Sequence, residues 1–233
     1  MSIHKVEHVL YELNCVKRFM ETVGQDIKEE YYPNKQVVNF RKSLINEEIE
    51  ELDIAVKTKN NVEIVDALMD ILYVAYGAIL SLGVVKDYIN LVNNIDYKAK
   101  PITTDLNVII KTVYHLCDMQ GIDRRRCFDI VHSSNMSKFD THEANAVESV
   151  EYYKLLAIEQ GASAKYTSPS YKFHNGLYII FNNEGGKKIL KSTRYLKVDF
   201  EDNFNQIEYK SEFYNTVLDL VNYVNYMNMV DYV

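Results

Sequence analysis

Glu47-Glu48-Ile49-Glu50-Glu51-Leu52, followed after a short polar break by Glu63-Ile64-Val65-Asp66-Ala67-Leu68-Met69-Asp70-Ile71-Leu72, is the stretch on which the reading of this chain turns. Around its first half, Phe40, Leu44, Ile45, Ile49, Leu52 and Val56 recur at steps of three and four, which predicts an amphipathic helix over about 37–56. Around its second half, Ile64, Val65, Leu68, Ile71, Leu72, Val74, Ala75, Ile79 and Leu80 run almost all the way round. This predicts a helix over about 62–82 at the centre of a bundle. The link Thr58-Lys59-Asn60-Asn61 is short, so the two helices fold back on each other as an antiparallel hairpin.

The carboxylates of this stretch fall on shared faces. Glu48 and Glu51 are three apart on the first helix, and Glu63, Asp66 and Asp70 are three and four apart on the second. An acidic face on an amphipathic helix is ordinarily solvated, and Glu47 and Glu50 fit that description. Carboxylates on an apolar helix with no Lys or Arg of its own are a different matter, because burying them bare costs several kcal/mol each. A hard divalent cation, Mg²⁺ or Mn²⁺, removes that cost. A ferritin-like di-iron centre needs Glu-x-x-His, a pattern the sequence lacks. No Gly-rich phosphate loop is present either.

The acid is concentrated here. The formal net charge is −7 over 233 residues, and the 47–70 window has eight carboxylates against Lys57 and Lys59, leaving the remainder nearly neutral. Such a balance excludes a bulk electrostatic nucleic-acid binder. A hydrophobic content of 47% with 25% charged residues is that of a globular chain. Cys15, Cys117 and Cys127 form no CxxC pair and suit a reducing compartment. No apolar run is expected to reach the roughly 20 residues of a membrane span, and the charged first turns do not read as a signal peptide. The expectation is a cytoplasmic protein without a membrane or nucleic-acid partner.

Outward from the hairpin, Ile3, Val6, Leu10, Leu13, Val16 and Met20 predict a first helix ending near Gly24. The more polar stretch 86–104, with Pro101, reads as a short helix plus loop, followed by helices over about 105–119, 124–135 and 146–160. Asn175-Gly176 between β-rich runs is a hairpin signal, and Glu184-Gly185-Gly186 a second turn, so 170–198 reads as a small antiparallel meander. A last helix begins near Glu208. The fold expected is mainly α: an antiparallel helical bundle over 1–160, then 161–233 as a small β appendage with a terminal helix.

The motif resembles that of the all-α nucleotide pyrophosphohydrolases, the MazG-like and phosphoribosyl-ATP pyrophosphatase-like group. The resemblance is carried by Glu48-x-x-Glu51, then Glu63-x-x-Asp66 with Asp70. It continues in Arg41-Lys42-Ser43-Leu44-Ile45-Asn46-Glu47-Glu48, Leu72-Tyr73-Val74-Ala75-Tyr76-Gly77-Ala78 and Val131-His132-Ser133-Ser134-Asn135-Met136-Ser137-Lys138. The segment from Gly186 to Ser192, with Tyr195, Val198 and Asp199, is similar to the β appendage of phage and large-DNA-virus members. Residues 84–119 depart from the pattern as an insertion, and the chain after about Asn205 has no counterpart.

The resemblance implies hydrolysis of a (deoxy)nucleoside triphosphate, such as dUTP or dCTP, to the monophosphate and pyrophosphate, in the host cytoplasm if the chain is viral. It implies Glu48, Glu51, Glu63, Asp66 and Asp70 as ligands of Mg²⁺ or Mn²⁺, and Glu47 or Glu48 as the group that orients or deprotonates the water. It implies Asn135 and Lys138 as phosphate contacts, with Arg41 a further candidate and Phe40 a candidate for stacking on the base. A homodimer or higher homo-oligomer is the expected assembly. The alternative is a non-catalytic protein that binds and sequesters a nucleotide on the same fold.

Overall fold

The computed structural model describes residues 3–95, 98–184, 188–200 and 206–233. Among them the elements are α1 (Ile3–Val23), α2 (Lys35–Thr58), α3 (Asn61–Ser81), α4 (Val85–Val92), α5 (Pro101–Gln120), α6 (Arg124–Met136), α7 (Glu143–Gln160), β1 (Pro169–His174), β2 (Leu177–Asn182) and α8 (Ser211–Met229). The mainly helical fold is as expected. Contacts divide the chain into two compact units.

The first unit comprises the described residues of Met1–Arg18, Asp26–Val131 and Asp199–Val233. The hairpin α2–α3 is its centre. Asn34 caps α2 by accepting the Val37 N–H at 3.1 Å, and Asn60 caps α3 by accepting that of Glu63 at 3.3 Å. Lys59 closes α2 in the left-handed region, with φ 55°, so a two-residue link reverses the chain. α3 is the most deeply buried helix: Ile64, Val65, Leu68, Ile71, Leu72, Ala75, Tyr76 and Ile79 are all inaccessible. It has the length and apolarity to cross a membrane, contrary to the expectation that no run reaches that length, but most of its apolar surface is buried inside the protein.

The loop after α3 is closely fitted. Gly83 lies at φ 65°, and a Cβ there would sit 1.9 Å from the Glu30 carbonyl oxygen, so only glycine is accommodated.

α5 begins earlier than expected. Pro101 occupies its first turn, where the missing N–H would have no helical partner in any case. The Lys100 N–H at this start donates instead to Asp87 Oδ2 on α4 at 2.9 Å. The apparent insertion is therefore two packed helices, and α4 and α5 both pack on α3.

α8 packs on α2 and α5 through Phe213, Val217, Leu220, Val224 and Met227. Tyr223 donates a hydrogen bond to Asp105 Oδ1 at 2.6 Å, and Lys42 Nζ donates to the Val230 carbonyl at 2.6 Å. The terminal helix thus clusters with the helical unit, not with the β appendage to which the sequence assigned it. Its apolar face finds its complement on two helices far away in sequence, which periodicity alone does not reveal.

The second unit comprises Phe19–Gln25 and the described residues of His132–Val198. β1 and β2 pair antiparallel, with His174 opposite Leu177 across the turn. Asn175 and Gly176 both have positive φ, 48° and 81°, as a tight hairpin turn requires. Alternation along β2 sends Ile179 to a cluster with Val23 and Phe139, and Ile180 to one with Ala146, Val150 and Leu190. Among the described residues the expected meander is reduced to this hairpin, with Ile189 forming an isolated bridge to Phe181. The second turn, at Gly185-Gly186, lies outside the described residues, as do residues 201–205.

Candidate metal centre

On α3, from Ile64 to Ser81, every residue is buried except Asp66, Asp70 and Val74. These three are spaced by four, so one half-buried seam interrupts an otherwise closed surface. On α2, Glu48 is half-buried, while Glu47 and Glu51 are exposed on either side of it. Glu63 is exposed in the first turn of α3.

Electrostatics shows that these groups are neighbours. Burial, reinforced by the charges of Asp70, Glu51, Glu47 and Asp66, pushes the Glu48 carboxyl up to about 8. Burial, with the charges of Glu47 and Glu63, also raises Glu51. Both directions are those of carboxylates crowded by like charge. The remaining acids of α2 are differently engaged: Glu50 accepts from Asn46 at 2.6 Å, and Asp53 pairs with Lys57 at 2.5 Å. Among the described residues, none of Glu47, Glu48, Glu51 and Glu63 is ion-paired.

This donor set suits a hard divalent ion, since it is all carboxylate oxygen and, among the described residues, Glu48, Glu51 and Glu63 have no compensating cation. Among the described residues no three of the side chains already converge as a finished coordination shell. The arrangement is an acidic surface on the α2–α3 hairpin that an ion would have to draw together.

The other sequence-derived candidates are placed as follows. Arg41 is buried, 7% exposed. Its Nε and Nη2 donate to Ser81 Oγ at 3.0 and 2.6 Å, and its guanidinium lies against Gly77, whose missing side chain makes the room. Burial lowers its pKa to about 10, which leaves it charged at neutral pH. Arg41 is thus committed inside the helical unit, and Ser81, its anchor, has no distinguishing sequence context. Phe40 is 50% exposed, not part of the buried stripe, with the Arg41 guanidinium 5.4 Å from its ring centre.

Asn135 and Lys138 belong to the second unit. Lys138 Nζ donates to Asn135 Oδ1 at 2.5 Å, so the two form a pair at the end of α6. The backbone around them is pinned: Ser137 Oγ donates to the Ser134 carbonyl at 2.7 Å and accepts the Leu196 N–H at 2.9 Å, while Ser134 Oγ donates to Tyr195 at 3.0 Å.

A buried polar network in the first unit escaped the sequence reading. Glu12 is fully buried on α1 and accepts from the hydroxyls of Tyr76 and Tyr114 at 2.6 and 2.7 Å and from Arg124 Nε at 3.2 Å. A signal was there. The buried face of α1 is Val9, Leu13, Val16, Met20 and Val23, with Glu12 inside it, whereas Leu10 is 41% exposed.

Residues 16–99 match the family of phosphoribosyl-ATP pyrophosphohydrolase. That interval contains all the candidate carboxylates but neither Asn135 nor Lys138. A protein of Acanthamoeba polyphaga mimivirus, the uncharacterized protein L479, is 32% identical over 214 residues, covering 72% of this chain and 84% of the relative. No solved structure matches the chain.

Proposed function

Because the chain belongs to the MazG-like, phosphoribosyl-ATP pyrophosphohydrolase-like family of all-α proteins, we propose that it is a Mg²⁺-dependent nucleoside triphosphate pyrophosphohydrolase. Its substrate is a (deoxy)nucleoside triphosphate, and its products are the monophosphate and pyrophosphate. The observation that carries this reading is the seam of Asp66 and Asp70 in a closed apolar helix, next to the half-buried Glu48 of α2.

Glu48, Glu51, Glu63, Asp66 and Asp70 would hold Mg²⁺, with Mn²⁺ as a substitute. A bound divalent ion supplies charge neutralisation for phosphate oxygens and lowers the pKa of a nearby water. The chain's own part is positional. Glu47, which is exposed, or the half-buried Glu48 beside it would orient or deprotonate the attacking water. Lys138 contacts a phosphate oxygen as a point charge, with Asn135 fixing the position of its ammonium group.

The test is incubation of the full chain with Mg²⁺ and a panel of NTPs and dNTPs, with separate detection of monophosphate and pyrophosphate. Turnover of at least one nucleotide is expected. Tight binding with no turnover would replace the enzyme by the sequestering protein. Asp66→Asn is expected to abolish turnover while circular dichroism stays that of the parent, and unchanged activity would sink the metal assignment. Lys138→Ala is expected to raise KM more than it lowers kcat.

A further inference from the structure

α7 turns one face to its own unit and leaves another bare. Ala146 and Val150 pack with Ile180 and Leu190, and Ser149 Oγ accepts the Thr193 N–H at 3.0 Å. Nearly opposite them, at about 3.6 residues per turn, run Ala144, Val147, Glu151, Lys154 and Ile158. They succeed one another at steps of three, four, three and four, and all five are exposed. Val147 is 42% exposed and Ile158 76%, with Leu155 beside them at 60%. This spacing is the narrow a/d seam of a two-stranded coiled coil, not the wider stripe by which a helix docks on a core. α7 lies outside residues 16–99, the interval that matches the family, and within the second unit.

The two charges in the seam decide what can cover it. Glu151 and Lys154 occupy its middle, paired with each other at 2.6 Å, between apolar Val147 and Ile158. Against a reversed copy of itself the seam is complementary. A two-fold axis passing between Tyr152 and Tyr153 sets Val147 of one copy against Ile158 of the other. The same axis sets Glu151 against Lys154, and each contact is made twice. This is the isologous arrangement of a closed dimer. A parallel pair in register would put Glu151 against Glu151 and Lys154 against Lys154, and like charges in contact cost several kcal/mol. A purely apolar partner would desolvate the Glu151–Lys154 pair and return no charge to it.

We propose that α7 is a dimerisation helix, pairing antiparallel with α7 of a second copy of this chain through Val147, Glu151, Lys154, Leu155 and Ile158. The contact is one helix against one helix, at the small end of specific interfaces, so the dimer is weak and concentration-dependent. It makes no use of the carboxylates of α2 and α3, and it stands whether or not the chain hydrolyses a nucleotide.

Sedimentation of the full chain over a range of micromolar concentrations tests the proposal. The parent is expected to self-associate reversibly. Glu151→Lys and Lys154→Glu each place like charges across the axis, and each is expected to weaken association by about tenfold or more. Both positions are exposed, so neither variant disturbs the core. Mixed in equal amounts, the two variants complement each other and are expected to associate as the parent does. Cysteine cross-linking reads the orientation, since the native Cys15, Cys117 and Cys127 are buried. On mild oxidation, chains carrying Val147→Cys are expected to link to chains carrying Ile158→Cys, and neither to link to itself. A parent that stays monomeric overturns the proposal and leaves the seam to a different protein. Single variants that associate like the parent, or a mixture that does not recover, overturn it as well. Val147→Cys chains that link to one another overturn the antiparallel order.

Discussion

Glu12 and Glu48 are both glutamates on helices of the same unit, and their surroundings give them opposite tasks. Glu12 is fully buried but saturated, with two tyrosine hydroxyls and Arg124 around its carboxylate. It ties α1 to α3, α5 and α6. Removing one partner of such a buried pair leaves the other charge uncompensated, so Glu12→Ala is expected to cost about 3–5 kcal/mol. Urea denaturation reads this directly, and a loss below 1 kcal/mol, about the scale of an exposed pair, would show that the network is decorative. Glu48 is surrounded by other acids, with burial and four carboxylates all acting in the same direction. At this scale, charge type said little, and the identity of the neighbours decided the role.

At the scale of elements, the α2–α3 hairpin was legible because each of its features is local. Asn34 and Asn60 cap, Lys59 reverses, and the apolar spacing gives the buried faces. The hairpin β1–β2 was legible for the same reason, through Asn175-Gly176. The start of α5 was not, since Pro101 serves equally as a loop residue and as a first-turn residue; the neighbouring Asp87 that receives the Lys100 N–H lies on another helix. α8 illustrates the same limit. Its apolar stripe was plain in the sequence, but not that it covers α2 and α5. Since Leu220 is 2% exposed in that contact, Leu220→Ala is expected to destabilise the helical unit by about 2–5 kcal/mol. A thermal melt followed by circular dichroism checks it; an unchanged midpoint would mean that α8 is not part of that unit's core.

For the whole molecule, the net charge of −7 behaves as a local property of α2 and α3. This predicts how stability depends on pH and metal. The Glu48 carboxyl sits at about 8 when folded against an ordinary 4.5, so the folded chain keeps a proton that the unfolded chain releases. Its contribution is complete below 4.5 and is lost as pH rises through about 8. In EDTA the melting temperature of the parent is therefore expected to fall over this window more steeply than that of Glu48→Gln. Mg²⁺ is expected to stabilise the protein more at pH 8 than at pH 5, because the ion competes with the proton for the same carboxylates. Equal slopes for parent and variant would dissociate Glu48 from the acidic cluster.

The amino-acid sequence by itself determined the helical class, the α2–α3 hairpin, the acidic residues of its face and the family. All of these rest on spacing within one or two helices, where backbone geometry converts sequence separation into direction. Only the tertiary structure decided that Arg41 turns inward to Ser81, that Phe40 stays outside, that Glu12 is buried among tyrosines, and that Val147 and Ile158 are left exposed on α7. These outcomes depend on which distant surfaces meet. A side chain's burial and partners are set by the neighbouring helix, and periodicity along its own helix does not contain that information.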